Sequence, residues 1–151
     1  MSAIEGAPNG RQANMAVLAQ AASSDIATAW AAWPEKPDFH LVRGPETGLV
    51  MVRGRAGGGG APFNLGEATV TRATVRLATG EIGHSYALGR DGEKARLAAI
   101  FDALWQRPDD APAVDALVAT LREKTETADD RRREETAATR VNFFTMVRGD
   151  D

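Results

Sequence analysis

Between residues 38 and 90 the apolar side chains alternate along the chain, whereas on both sides they recur every three to four residues. The alternating stretch includes TGLVMVRGR and EATVTRATVRLAT, which are rich in β-branched residues, as strands are. Alternation gives the second segment two faces, one with Val70, Arg72, Thr74 and Arg76 and the other with Thr71, Ala73, Val75 and Leu77. The spacing therefore predicts one sheet between two helical regions, an α+β fold.

The sheet is predicted to hold about four strands, mostly antiparallel, from FHLVRG at 39–44 to SYALG at 85–89. The short TGE connection at 79–81 favours a hairpin between EATVTRATVRLAT and EIGHSYALG. A further apolar segment, VNFFTMV at 141–147, would add a fifth strand. It follows a long polar stretch, so it either returns to its own sheet or is exchanged with a partner chain.

Helices are predicted on both sides of the sheet within a single domain that spans residues 1–151. Residues 1–37 contain RQANMAVLAQA and DIATAWAAW, the second capped by Ser23 or Ser24, with Trp30 and Trp33 on its apolar stripe. Residues 91–140 contain RDGEKARLAAIFDALWQR and a second helix capped by Asp109 or Asp110. That second helix continues into REKTETADDRRREETAATR, which has no large apolar side chain and is expected to be solvated or to bridge to something else.

Composition excludes several classes of chemistry. The chain has no Cys and two His, which removes thiol nucleophiles, iron–sulfur ligation and Cys-based zinc sites and leaves no predicted metal site. The start of the sequence does not resemble a signal peptide, and no apolar run approaches the ~20 residues of a membrane span. These features predict a soluble, cytoplasmic protein with no membrane partner.

Charge is distributed unevenly although the whole chain carries a formal −3. Residues 43–96 hold eight basic and five acidic groups, a local +3, and seven of the eight are Arg. Arg presents a rigid fork that suits phosphate or carboxylate. The segment is too small for a nucleic-acid surface and lacks interleaved aromatic residues, so an anionic ligand or an acidic protein partner is the expected target.

The glycine-rich segment VRGRAGGGGAPFNLGE at 52–67 is the first candidate site. It does not fit a phosphate-binding loop, because no Lys follows the glycines and the chain leads towards another strand. Backbone N–H groups could still line an anion site between two arginines, and the alternative is a flexible connection that a partner orders. The residues concerned are Arg53, Arg55, Gly57, Gly58, Gly59 and Gly60.

Two further candidates are Glu67, just past the glycines, and His84 in the next hairpin. Together they would form an acid–base pair, but a surface salt bridge or a histidine at the edge of the core is the favoured interpretation. Asp129, Asp130, Glu134 and Glu135 alternate with arginines and indicate a solvated helix face. No catalytic residue is assigned from the sequence.

Three segments together resemble the PhnG family, small subunits of the bacterial carbon–phosphorus lyase system. They are RQANMAVLAQA, the stretch from Glu46 to Asp91, and RVNFFTMVRGDD at the end of the sequence. The resemblance implies that the chain acts with the PhnH, PhnI and PhnL proteins to exchange adenine of ATP for a phosphonate. The product is then α-D-ribose 1-methylphosphonate 5-triphosphate. It also implies a core complex with PhnH, PhnI and PhnJ, and no cofactor held by this chain alone, ATP and phosphonate being substrates of the complex.

The resemblance gives the candidate segments a role in assembly. The glycine-rich loop and its arginines would dock a partner and border its anionic substrate. The C-terminal residues would clasp a neighbouring subunit by strand pairing, through Phe143, Phe144, Met146 and Val147. Isolated chains would then form a homodimer or a strand-exchanged oligomer. The alternatives are a purely structural subunit and a free-standing anion-binding protein.

Deleting residues 141–151 is therefore expected to abolish co-purification with PhnI while the helical circular dichroism signal persists. The reason is that main-chain pairing of an apolar strand is a stable mode of association. Unchanged co-purification after the deletion would contradict this prediction.

Overall fold

A computed structural model describes residues 10–140 of the chain. The predicted strand at 141–147 therefore lies outside the described residues. Two helices come first, α1 (Gly10–Gln20) and α2 (Ser23–Ala32). Three strands follow, β1 (Phe39–Arg55), β2 (Pro62–Leu77) and β3 (Ile82–Leu88), and then α3 (Gly92–Trp105) and α4 (Ala111–Ala138). The strands form one antiparallel sheet in the order β1-β2-β3, so the α+β class and the hairpin at 79–81 are confirmed.

The described part of the chain contains three strands where the sequence predicts about four. FHLVRG and TGLVMVRGR are one strand of 17 residues, β1. The Gly-Pro pair between them resembles a break between two strands. The strand is nevertheless continuous, and its pairing with β2 shifts register between Leu41 and Arg43 and between Arg43 and Glu46. Strand pairing with β2 continues on both sides of the irregularity, because one partner strand spans the whole length.

The core lies on one face of the sheet. One of the two faces that alternation predicts for β2 is buried, with Thr71, Ala73, Val75 and Leu77 at most 1% exposed. Helix α3 packs on this face, and α1, α2 and α4 contribute Leu18, Ile26, Val114, Val118 and Leu121 to the same cluster. The predicted core position of the two tryptophans is confirmed: Trp30 and Trp33 meet Phe101 edge to face, with ring centroids 6.0 and 5.3 Å away.

Two of the predicted helix caps differ from the structure. Helix α2 begins at Ser23 and has Ala22 at its N-cap position, because the Ser23 hydroxyl donates instead to the carboxylate of Asp91. Asp91 in turn caps α3 by accepting the Lys94 N–H at 2.9 Å. The bond from Ser23 and then the bond from Lys94 lower the pKa of Asp91 below its usual range. Asp110 occupies the N-cap position of α4, but its side chain makes no capping bond.

Helix α4 continues through the polar segment, as the sequence predicts. Its buried residues are Val114, Val118 and Leu121, all in the first half. Beyond Leu121 the helix is mostly exposed and carries ion pairs between neighbouring turns, such as Arg131 with Glu135 at 3.3 Å. The expectation of a solvated helix face is therefore confirmed.

One buried carboxylate, Asp102 of α3, joins three elements. Its two oxygens accept Nε and Nη2 of Arg11 in α1 at 2.9 and 2.8 Å. The backbone N–H of His84, on the free edge of β3, donates to the same carboxylate at 2.8 Å. The hydrogen bond with Asp102 raises the pKa of the Arg11 guanidinium above its ordinary value. Sheet edge, α1 and α3 are thus held by one charged group.

Gly83 lets α3 approach β3 closely. A Cβ at this position would lie 1.9 Å from the Ala99 carbonyl oxygen and 2.6 Å from the Ala103 nitrogen. These are backbone atoms of a buried helix, so they cannot move aside without shifting α3. Small side chains at the next inward positions of β3, Ser85 and Ala87, complete this contact surface.

The substitution Gly83→Ala is expected to lower the free energy of unfolding by about 3 kcal/mol, because the added methyl group overpacks the contact with α3. Gly48→Ala is the matched control, since Gly48 also lies in a strand and an added methyl group there would have no heavy atom within 4 Å. It should change stability by less than about 0.5 kcal/mol. Urea denaturation of both variants makes the comparison, and equal effects would contradict the close packing.

The substitution Arg11→Met is expected to lower the free energy of unfolding by about 2 kcal/mol. The reason is that the Asp102 carboxylate stays buried but loses its charged partner, and the backbone N–H of His84 is then the donor that remains from another element. Arg122→Met removes an exposed arginine of α4 and should be nearly neutral. Denaturant midpoints of the two variants provide the measurement. A neutral Arg11 variant would show that the Asp102 contact does not hold α1 in place.

Candidate functional site

The β1–β2 hairpin extends well past the third strand. The last pair between β2 and β3 is Val70 with Leu88, whereas β1 and β2 remain paired out to Arg55 and Pro62. Residues 49–69 therefore form a two-stranded arm, about 20 Å long at about 3.3 Å per residue. A two-stranded hairpin without a packed face is marginally stable by itself.

The arm carries exposed apolar side chains on both faces. Leu49 and Met51 fall on one face and Val50 and Val52 on the other, because strand side chains alternate. Five large apolar residues of the arm are between 39% and 61% exposed: Leu49, Met51, Val52, Phe63 and Leu65. Several exposed apolar side chains in one short segment are typical of a contact surface for another protein.

The glycine-rich loop forms the tip of the arm. Ala56–Gly58 make a single 3-10 turn in which Gly57 and Gly58 have φ values of 60° and 76°, a region that favours glycine. The turn is closed by the Gly60 N–H, which donates to the Ala56 carbonyl at 3.1 Å. The connection is thus a tight turn at the end of a hairpin, with Gly59 and Gly60 completing it.

Arg53 and Arg55 lie where the strands meet this tip. Arg53 is opposite Asn64 and Arg55 is opposite Pro62 in the ladder, and both arginines are exposed. Positions two apart in a strand share a face, so the two guanidinium groups lie on the same side. The structure therefore brings together the predicted arginines and the glycines Gly57–Gly60 at one end of the arm.

The structure does not bring Glu67 and His84 together. Glu67 lies on the arm opposite Met51, whereas His84 is paired with Thr74 in the body of the sheet. Thr74 lies seven positions along β2 from Glu67, which corresponds to about 23 Å at about 3.3 Å per residue. The sequence alone suggested that the two residues might meet. They are far apart because β2 extends beyond the end of β3 and Glu67 lies in that extension.

The outer face of the sheet, opposite the helices, forms a second candidate surface, called the open face below. Cross-strand pairing arranges its side chains in three rows: His40, Arg76 and Ile82; Arg43, Thr74 and His84; and Glu46, Arg72 and Tyr86. Glu46 accepts two contacts from Arg72, at 3.0 and 3.1 Å, and lies 3.9 Å from Arg43. With three arginines and one carboxylate, the open face is cationic.

His84 is held in place on the open face. Its Nδ1 lies 3.1 Å from the Thr74 hydroxyl oxygen, and its backbone N–H is bound to Asp102 on the edge of the sheet. When Thr74 donates to Nδ1 of the neutral ring, Nε2 carries the proton and is available as a donor. The site can therefore offer a neutral donor beside two guanidinium groups.

Two kinds of feature are absent from residues 10–140. No three His, Asp or Glu side chains there converge in a way that would hold a metal ion. Among the described helices, none is both long and apolar enough to span a bilayer.

Sequence reasoning missed several of the residues that organise these surfaces. Asp102 could have been noticed as the one charged residue in LAAIFDALW, an otherwise apolar stretch of α3. Arg11, its partner 91 positions away, has no signal in the sequence. Arg43 and Arg72 contributed to the local charge count, but their grouping around Glu46 depends on strand register.

Comparison with known proteins identifies a family and a relative. Residues 9–149 match the sequence model of the family described as phosphonate metabolism protein PhnG. The chain is 58% identical over 141 residues to the alpha-D-ribose 1-methylphosphonate 5-triphosphate synthase subunit PhnG of Rhizobium meliloti (strain 1021). That alignment covers 93% of this chain and 90% of the relative, so it includes the arm, the open face and most of the helices.

Proposed function

Because the chain belongs to the PhnG family, we propose that it is a subunit of an α-D-ribose 1-methylphosphonate 5-triphosphate synthase. The complex would transfer the ribose triphosphate moiety of ATP to an alkylphosphonate, methylphosphonate in the simplest case, and release adenine. Its partners would be the PhnI, PhnH and PhnL proteins in this reaction and PhnJ in the larger core complex. Support comes from the 58% identity to a subunit with that name. A reaction that consumes ATP also fits the cytoplasmic location expected from the sequence.

The role proposed for this chain is association, and the observation that carries it is the exposed arm. Fully burying one large apolar side chain contributes about 1.5–3 kcal/mol. Five such residues, each roughly half exposed, would therefore contribute on the order of 5 kcal/mol before the cost of association is subtracted. A partner surface on the arm would also supply the packed face that a two-stranded hairpin lacks.

The tip would face the substrate of the neighbouring subunit. Arg53 and Arg55 are exposed on one side of the arm, where they can approach a triphosphate or phosphonate group bound mainly by the partner. The turn formed by Gly57–Gly60 keeps this end of the arm narrow, because glycine adds no side chain. Docking by the apolar faces and approach by the tip are compatible, since they use different parts of the arm.

A second candidate function is direct binding of substrate by this chain, through Arg53, Arg55 or His84. It is favoured by the two arginines at the tip, which pair with no carboxylate in the part of the chain that the structure describes. The two candidates differ in what happens when these cations are removed. If the chain only associates with its partners, adenine release would persist after the cations are removed. If the cations bind substrate, adenine release would be lost.

The proposal is tested by measuring phosphonate-dependent adenine release from ATP by purified PhnI, PhnH and PhnL, with and without this chain. Release is expected to need the chain, and the double variant Leu49→Ser with Met51→Ser is expected to lose both association and release. Leu88→Ser is the control, because Leu88 is 74% exposed and lies outside the arm. Release that is unaffected by omitting the chain would contradict the proposal. Loss of release by Arg53→Gln with Arg55→Gln, with association intact, would favour the second candidate.

A further inference from the structure

We propose that a depression on the open face binds the oxyanion of a phosphoryl or phosphonyl group that carries an organic substituent. The inference rests on the proposed function for the relevance of such compounds, but not for the geometry of the site. It adds a binding site in the body of the sheet, separate from the arm and from the residues at its tip.

The depression has a volume of about 520 Å³. Small-molecule sites in proteins commonly have volumes of roughly 300–1,000 Å³. Its walls come from all three strands and from α1, and its main side chains are Met15, Val42, Arg43, Arg72, His84 and Tyr86. Three strands in fixed register therefore place these groups, whereas the tip of the arm is supported by a single turn.

The positive charge of the depression is only partly neutralised. Glu46 is bound closely by Arg72, with contacts of 3.0 and 3.1 Å to one carboxylate oxygen. Arg43 reaches Glu46 only at 3.9 Å, and its side chain is 56% exposed. Arg43 lines the depression, and a guanidinium fork matches the oxygens of a phosphate or phosphonate group.

His84 and Thr74 extend the donor set. They lie directly opposite each other in the ladder and share a hydrogen bond of 3.1 Å, in the same row as Arg43. This bond fixes the ring so that Nε2 is the nitrogen left for a ligand. An oxyanion bound by Arg43 would therefore find a second donor across the same row.

The remaining wall suits an organic substituent. Met15, Val42 and Tyr86 contribute a thioether, an aliphatic and an aromatic surface beside the cations. Tyr86 is 51% exposed and pairs with Arg72 across the strands, so its ring lies next to the charged part of the site. A bare inorganic anion would use only the charged half, which is why the proposed ligand carries an organic group.

The test is an NMR titration of the full chain, in which the imidazole resonances of its two histidines are followed. Methylphosphonate, ATP and inorganic phosphate are added separately at constant ionic strength. Saturable shifts are expected at His84, which lines the depression, and not at His40, which does not. His84→Gln and His40→Gln assign the two signals. If methylphosphonate binds more tightly than ATP, the group bound in the depression is the phosphonate. If ATP binds more tightly, the bound group is the triphosphate.

Two pairs of variants locate the binding. Arg43→Gln is expected to weaken it about fivefold, ~1 kcal/mol, whereas Glu46→Gln is expected to strengthen it by releasing Arg72. Arg122→Gln and Glu123→Gln make the same charge changes on helix α4, away from the depression, and should leave the affinity unchanged. All four positions are exposed, so folding should be preserved, and thermal unfolding midpoints verify this.

Several results would overturn the inference. His84 shifts that are absent, or equal to those caused by chloride, would show that no specific oxyanion site exists. Loss of binding in Arg53→Gln, with the affinity of Arg43→Gln unchanged, would move the site to the tip of the arm. Shifts caused by a polyglutamate peptide, but by none of the phosphorus compounds, would assign the open face to an acidic protein. The experiment uses the isolated chain, so its failure is distinguishable from a failure of adenine release in the reconstituted complex.

Discussion

The carboxylate of Asp102 is the contact on which the arrangement of this molecule depends. It is 3% exposed and accepts hydrogen bonds from α1 and from the free edge of β3. Burying a charge is costly unless an opposite charge lies beside it. Arg11 supplies that opposite charge, although it is 91 positions away in the sequence. The Arg11 guanidinium and Gln106 also bind the Ile82 carbonyl, at 3.1 and 2.7 Å. Side chains therefore occupy this part of the edge of β3, where another strand would otherwise pair.

Fixing the helices on one side of the sheet leaves two surfaces available, and they differ in character. The arm is apolar on both faces and becomes cationic only near its tip, so it is suited to contact with a protein. The open face is cationic and contains a concave region, so it is suited to an anion. Both surfaces depend on the length of β2, which pairs with β3 near one end and with β1 along nearly all of its length. One strand thus connects the proposed docking element to the proposed ligand site.

Local patterns predicted much of this fold correctly. Alternation separated the two faces of β2, helical spacing identified α3 and the apolar stripe with the tryptophans, and the long polar segment was recognised as a solvated helix. Predictions that required knowledge of distant partners were less successful. The proposed cap of α2 was wrong because Ser23 bonds to Asp91, which is 68 positions away. The break expected before Glu46 was absent because pairing with β2 carries β1 through it. Glu67 and His84 looked like neighbours only because the extent of β3 was unknown.

The amino-acid sequence was sufficient for the fold class, the division of the β2 side chains between two faces, the family, and the identity of the arginines and glycines in the loop. These properties depend on residue type and on spacing over a few positions. Tertiary structure alone decided that the loop is the tip of a projecting arm, and that Arg43, Arg72 and His84 share a depression with Met15. Such groupings depend on strand register and on packing between distant segments. A shift of one residue in register would move every side chain of a strand to the opposite face.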